Sequence, residues 1–308
     1  MTCTAPSPVV VADEVRAAVA DGHPVIALES TIFTHGLPRP QNLQVALAAE
    51  RQLRTSGVVP ATIGVVDGEA VVGLSPEQIE RLSQTDSASK ISLRDLPVAR
   101  AKRLSGGTTV AATAYLAHKA RVRVFSTGGL GGVHVRAAST FDESADLPVL
   151  ARTPILVVSA GVKSILDIGA SLERMETLSV TVVGYKTTAY PGFYVADSGH
   201  QIEYSLGGPA EAAELIRARD AFGIAGAIVV ANPVPVADQL SCDEHRAVLA
   251  DAWHAAETAE IAGNDTTPFL LDYIRKATNG RSLDVNVAVY RNNVGLGGEI
   301  ALALADNG

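Results

Sequence analysis

Val122-Arg-Val-Phe-Ser-Thr-Gly-Gly-Leu-Gly-Gly-Val-His134 and, a short way on, Ile155-Leu-Val-Val-Ser-Ala-Gly-Val-Lys163 share one design. A short apolar, β-branched run stops at a serine, and glycines and polar residues follow. Apolar runs of this length, closed by glycine, predict strands buried on both faces. The pattern repeats outward at Val25–Glu29, Ala61–Val66, Ala70–Leu74, Val180–Gly184 and Gly226–Ala231, with a turn at Asp67-Gly68. Helical stretches fall between them. They are Gln41–Ser56, a start at Ser75-Pro76-Glu77-Gln78, Thr108–Ala120, a start at Lys163–Ile168, and Ala210–Phe222. Three more follow Cys242: Asp243–Ala262, Pro268–Thr278 and Leu283–Leu304. Strands alternating with helices predict an α/β protein, a three-layer α/β/α sandwich with a mainly parallel central sheet, built as one domain over residues 1–308.

Composition narrows the function. Hydrophobic residues make up 47% and charged residues 19% of 308, which excludes a disordered chain. The net charge of −8 argues against a nucleic-acid binder, which needs a basic surface. Cys3 and Cys242 have neither metal nor redox spacing and read as free thiols. Met1–Pro8 has no secretory pattern. The apolar stretch Ile155–Leu172 carries Lys163 and Asp167, so it predicts no membrane span. A soluble, cytoplasmic protein is expected.

Ligands of such sheets sit beyond the carboxyl ends of the strands. Glu29 ends an apolar strand, where burial would make it a general acid; a carboxylate bonded to a neighbouring turn explains the position equally well. The loop Thr127–Gly132 can bring backbone N–H groups to an anion and bears a faint likeness to a dinucleotide fingerprint. His134, taken alone, favours a structural role. Asp142, Glu143 and Asp146, with Ser144, could hold a hard cation through oxygens. Spacing favours a solvated helix start there. Lys163, between a buried strand and an apolar helix start, is either an amine nucleophile or a snorkelling lysine paired with Asp167 one turn on. Lys90, at the end of a serine-rich loop, and Gly106-Gly-Thr-Thr-Val110, at a helix start, could complete an anion pocket. Asn286 and Asn292-Asn293 on the last helix could read a heterocycle edge, or face solvent.

Together these residues resemble a known family. Ala27-Leu-Glu-Ser-Thr31, Pro60-Ala-Thr-Ile63, Arg94-Asp-Leu-Pro97, Ser126–His134, Thr140-Phe-Asp142, Ser144-Ala-Asp-Leu147, Ala160–Asp167, Val230-Ala-Asn-Pro233 and Thr267-Pro-Phe-Leu-Leu271 occur in the order found in the pseudouridine-5′-phosphate glycosidase family. That family is also called pseudouridylate synthase or indigoidine synthase A-like. The resemblance runs from about Val25 to Leu304. It implies reversible conversion of pseudouridine 5′-phosphate and water to uracil and ribose 5-phosphate. It also implies a homotrimer, one Mn2+ per subunit and no organic cofactor. Residue by residue, Glu29 falls on the proton donor, Lys163 on the nucleophile and Asp142 on the metal ligand. Lys90, Val110, Ser144, Ala145 and Asp146 fall on substrate-binding positions; Thr127, His134 and Asn286 match positions around the ligand. The kinase domain sometimes fused to this family has no counterpart here. Gly107 and Leu93 depart from the residues expected of relatives.

The chemistry agrees with that set. A C-glycosidic bond offers no leaving oxygen to protonate, so the ring must open first. That calls for one acid and an amine rather than two carboxylates. Competing readings are an aldolase-like lyase on another sugar phosphate, a dinucleotide-dependent oxidoreductase using Gly128–Gly132, and a non-catalytic sugar-phosphate sensor.

Overall fold

All four residues of Val25–Leu28 are buried, yet they serve two different cores. Successive side chains of a strand point to opposite faces. Val25 and Ala27 therefore join one hydrophobic cluster, and Ile26 and Leu28 join the other. Phe125, Val157 and Val229 fall with the first set; Val124, Leu156, Val158, Ile228 and Val230 fall with the second. Such a sheet must be covered on both faces, which is why its strands read as continuous apolar runs.

The protein is described here from a computed structural model covering residues 8–261 and 266–306. The strands are β1 (Val9–Val11), β2 (Val25–Leu28), β3 (Val59–Val66), β4 (Glu69–Val72), β5 (Ser89–Ile91), β6 (Gly106–Thr108), β7 (Val124–Ser126), β8 (Leu156–Ser159), β9 (Thr181–Tyr185), β10 (Ser205–Leu206) and β11 (Ile228–Ala231). The helices up to β8 are α1 (Asp13–Ala20), α2 (Gln41–Thr55), α3 (Pro76–Gln84), α4 (Leu96–Lys102), α5 (Val110–Lys119), α6 (Ala137–Thr140) and α7 (Asp146–Leu150). Beyond β8 come α8 (Ile168–Thr177), α9 (Pro209–Ala221), α10 (Cys242–Thr258), α11 (Thr266–Ala277) and α12 (Arg281–Ala305).

The main path of the sheet runs β1-β4-β3-β2-β7-β8-β11-β9-β10, with β6 bonded to β3 and β5 to β6. Among the strands of the described residues, only β3–β4 and β3–β6 are antiparallel pairs. Helices α1, α5, α7, α8, α10 and α11 cover one face; α2, α3, α9 and most of α12 cover the other. This is the expected α/β/α sandwich. Helix α12 comes close enough to the sheet that a Cβ on Gly297 would lie 2.1 Å from Ser126 Oγ and 2.5 Å from Ile26 Cδ1. That approach carries the earlier turns of α12 over the carboxyl ends of β7 and β2.

Several sequence boundaries move. Gly106–Thr108 forms a strand rather than opening a helix, and Thr109 caps α5. Lys90 lies inside β5, not in a loop. Lys163 starts no helix: α8 begins at Ile168, and Asp167 caps it by accepting from the Ala170 N–H at 2.9 Å. Its carboxylate is thereby used locally, and among the described residues it forms no ion pair with Lys163, one of the two readings the sequence leaves open. The Ser75 capping box and the Asp67-Gly68 turn are as read. The expected ends of the first and third of the late helices shift by a few residues, Ala262 itself lying outside the described residues, as do Cys3 and most of Met1–Pro8. Cys242 is free and exposed. Among the described residues no helix is long and apolar enough to cross a membrane.

Candidate active site

Register decides which polar residues meet. Leu28 of β2 pairs with Ser126 of β7, and Ser126 pairs with Val158 of β8. The next residues along β2 and β7, Glu29 and Thr127, therefore emerge side by side beyond the sheet. Thr127 Oγ1 donates to Glu29 Oε1 at 2.6 Å, and Thr31 Oγ1 donates to Oε2 at 2.8 Å. Glu29 is 6% exposed. Burial pushes its pKa above the usual carboxyl range; the nearby Lys163 charge and the two threonine hydroxyls pull the other way, less strongly.

Lys163 leaves β8 on a turn that glycine makes possible. Gly161 has φ +78°, and a Cβ there would lie 2.7 Å from the Pro191 carbonyl oxygen. The Val162 N–H donates to the buried Tyr190 hydroxyl at 3.1 Å, and the Lys163 N–H to the Leu130 carbonyl at 3.1 Å. The backbone is fixed on both sides of a half-buried lysine within electrostatic reach of Glu29.

Asp146 explains two sequence features at once. Its Oδ1 accepts from the Ala111 N–H in the first turn of α5, and its Oδ2 accepts from the Gly131 N–H, each at 2.9 Å. The helix start and the glycine loop thus converge on an anion belonging to the protein itself. The Val110 N–H, one residue earlier, has no partner among the described residues. The segment after Gly132 runs through bridges at Val133 rather than into a long helix. This is not the turn that seats a dinucleotide pyrophosphate.

Lys90 closes another side. Burial lowers its pKa, the Lys163 charge lowers it further, and Asp146 and Glu29 oppose both. Two amines thus share one space with two carboxylates. Asn286 on α12 brings its Oδ1 to 3.6 Å from where a Cβ of Gly128 would sit. Ser144 Oγ accepts from the Asp146 N–H at 3.2 Å, while Ala145 is exposed beside it.

His134 and Asp142 stand on a separate loop. His134 Nδ1 lies 3.6 Å from Asp142 Oδ2, and the His134 N–H donates to the Asp142 carbonyl at 3.0 Å. The loop is tied at its base by Arg174–Glu143 and at its tip by an ion pair from Arg136 to Glu257. Among the described residues no group of three His, Cys, Asp or Glu side chains converges on one point. Asp142 could still hold a hard divalent cation that keeps most of its waters, as such cations commonly do.

Sequence reasoning passes over one residue and leaves a second undecided. His35, on the π-helical turn Ile32–Gly36, sits beside Lys90; burial and then the Lys90 charge hold its pKa down. Asn293, wholly buried, donates to the Thr127 carbonyl at 2.8 Å. A histidine six residues past the strand-end Glu29 is the available signal for the first. For the second the sequence leaves a heterocycle-reading amide and a solvated one open, and the structure buries it behind the strand ends.

Fold and site define an α/β/α protein whose carboxyl, amine and anion-binding groups gather at parallel strand ends. The profile of the indigoidine synthase A-like proteins matches residues 14–303, and the chain belongs to that family. A protein from Saccharopolyspora erythraea named pseudouridine-5′-phosphate glycosidase is 63% identical over 296 residues, covering 96% of this chain and 98% of its own. One of the same name from Streptomyces griseus is 53% identical, covering 95% and 91%. Among solved structures, prealnumycin C-glycosynthase in complex with ribulose 5-phosphate superposes with a TM-score of 0.90 at 33% identity, covering 97% of each chain. An indigoidine synthase A-like protein from Thermotoga maritima gives 0.87 at 32%, covering 99% and 100%.

Proposed function

We propose that this protein is a pseudouridine-5′-phosphate glycosidase, cleaving the substrate reversibly to uracil and ribose 5-phosphate. The observation that carries the reading is Glu29, a buried carboxyl with raised pKa, within electrostatic reach of the Lys163 amine at the strand ends. The relative at 63% identity, with near-complete coverage of both chains, supports the same reading.

Glu29 donates its proton to the ribose ring oxygen as the Lys163 amine bonds to the anomeric carbon. The ring C–O bond breaks, and its electrons end in the new hydroxyl. The nitrogen lone pair then forms a C=N bond as the bond to uracil C5 breaks, and C5 takes a proton. Water hydrolyses the sugar imine and frees Lys163. Lys90, the Val110 N–H and the run Ser144, Ala145, Asp146 form the phosphate and sugar pocket; Thr127, His134 and Asn286 surround the ligand. We place one Mn2+ on Asp142, with water completing its shell; when bound it supplies local positive charge, and no organic cofactor is needed. We read residues 1–308 as one domain of a cytoplasmic homotrimer.

The synthase named among the structural relatives makes a C-glycoside rather than breaking one. Incubation with pseudouridine 5′-phosphate, following uracil by chromatography, tests the assignment. Uracil is expected at a rate proportional to enzyme; its absence, together with no pseudouridine 5′-phosphate formed from uracil and ribose 5-phosphate, would refute it.

A further inference from the structure

A buried hydrogen-bond chain runs behind Glu29. The Thr127 hydroxyl points to Glu29, while the Thr127 carbonyl accepts from Asn293 Nδ2 at 2.8 Å; the same Nδ2 reaches the Gly128 carbonyl at 3.2 Å. Asn293 Oδ1 accepts from Asn232 Nδ2 at 2.9 Å, and the Asn293 backbone carbonyl accepts from Ser126 Oγ at 2.9 Å. Asn232, just past β11, donates its N–H to the Ser159 carbonyl of β8 at 2.8 Å. The Thr127 N–H goes to Val158 at 3.0 Å. Thr127 is therefore held at both of its backbone polar groups, and its wholly buried side chain places the hydroxyl on Glu29.

Only an amide fits this place. The two carbonyls require donors and Asn232 requires an acceptor. An aspartate would lack the donors and a leucine would lack both. Asn293 and Thr127 are both fully buried, so water cannot take over either partner.

We propose that Asn293 is a positioning residue for Glu29: by clamping the Thr127–Gly128 peptide it aims the Thr127 hydroxyl at the carboxylate and so sets the acidity of Glu29. The catalytic consequence rests on the glycosidase reading; the effect on Glu29 itself does not. The other groups facing Glu29 are Thr31, Lys163 after β8, Asp146 on α7, Lys90 on β5 and Tyr290 on α12. None of them bonds to Asn293, so their influence stays constant when it is changed.

The test is a direct titration of the Glu29 carboxyl by carbon-13 NMR of glutamate-labelled protein, with the resonance assigned by its loss in Glu29→Gln. Thr127→Val removes a hydrogen bond to the charged form, so Glu29 should titrate higher by about one pH unit. Asn293→Ala should move it the same way by a comparable amount. The double variant should move no further than Thr127→Val alone. In turnover of pseudouridine 5′-phosphate, the alkaline limb of kcat/KM should follow the NMR midpoint in each protein. An unchanged midpoint in Asn293→Ala, or fully additive shifts, would overturn the proposal. Should Asn293→Ala not fold, Asn232→Ala keeps both donors but frees the amide. It should give a smaller shift in the same direction, and no shift would again be fatal. If the native protein releases no uracil, the glycosidase reading fails while the NMR result still decides the role of Asn293.

Discussion

Two buried glutamates make an instructive pair. Glu29 and Glu50 are each 6% exposed, each accepts a threonine hydroxyl at 2.6 Å, and burial raises the pKa of each. Glu29 stands at a strand end beside Lys163 and Lys90. Glu50 stands inside α2, bonded to Thr62 of β3, and its nearest cation, Arg54, is already paired with Glu14. A carboxyl whose pKa burial raises is thus not by itself an acid catalyst. What distinguishes Glu29 is its place just past the carboxyl end of a central strand, within electrostatic reach of the Lys163 and Lys90 amines.

The largest effect separating the two regions should come from Lys163→Ala. It removes the covalent route, so no turnover is expected, while binding of the intact nucleotide persists by calorimetry. Borohydride added to the native enzyme with ribose 5-phosphate should trap an adduct that peptide mapping places on Lys163. An adduct on Lys90 or Lys186 would identify the wrong amine here.

Chelation comes next. It should abolish uracil release, with manganese restoring it, and Asp142→Ala should no longer respond to added manganese. Full activity of the chelated Asp142→Ala protein would remove the metal from the reaction.

Glu29→Gln keeps the shape but not the proton. General acid catalysis contributes about 10²–10⁴-fold, so kcat should fall by roughly that factor. The sign of the pH dependence follows from the acid role: the proton donor is active when protonated, so kcat/KM falls as pH rises through the Glu29 pKa, which burial raises. Glu29→Gln should lose that limb, and a limb that survives belongs to another group.

A charge-assisted contact to phosphate is worth roughly 1.5–3 kcal/mol. Lys90→Ala should therefore lose about tenfold or more in kcat/KM for the nucleotide, and unphosphorylated pseudouridine should be a very poor substrate of the native enzyme. Equal turnover of nucleoside and nucleotide would contradict this pocket.

The smallest effect is the sharpest check on the comparison. Glu50→Gln should leave turnover within about twofold of native. Its raised pKa means that the folded state holds a proton more tightly than the unfolded chain does. The stability this gives is fully present below the unfolded pKa and is lost as pH rises through the folded one. Removing the ionisable group should raise the thermal midpoint by about 1–2 °C at neutral pH, and by less in acid. A large loss of activity would make Glu50 part of the chemistry and dissolve the contrast.

The sheet and half of the candidate site are legible because burial leaves a mark on sequence. A strand covered on both faces must be apolar throughout, so an ionisable residue at its end stands out, as Glu29 and Lys163 do. Asp146 reads as one of several solvated acids because nothing local reveals its partners. They lie 35 and 15 residues away, and only the fold brings the Ala111 and Gly131 amides to it. The sequence sets the start of α8 too early because Ser164–Leu166 has helical composition. The Asp167 side chain, by capping Ala170, sets the true start. Gly106–Thr108 fails as a helix opener because Gly64 and Val65 of β3 offer it a ladder, another long-range choice. Asn293 stays undecided for the same reason: on a helix, a buried amide and a solvated one are spelled alike.

The bond from Asn293 to Thr127 also has a meaning in time. It joins positions 166 apart, and the bond from Ser126 to Asn293 spans 167. Contacts of such long range are costly to close and form late in folding. Strands β2, β7, β8 and β11 can associate once residue 231 is available, but the clasp at their ends waits for α12. The molecule should acquire its sheet before its acid is correctly aimed. During refolding, far-ultraviolet circular dichroism should recover ahead of uracil release; simultaneous recovery would mean that helix and sheet assemble in a single step.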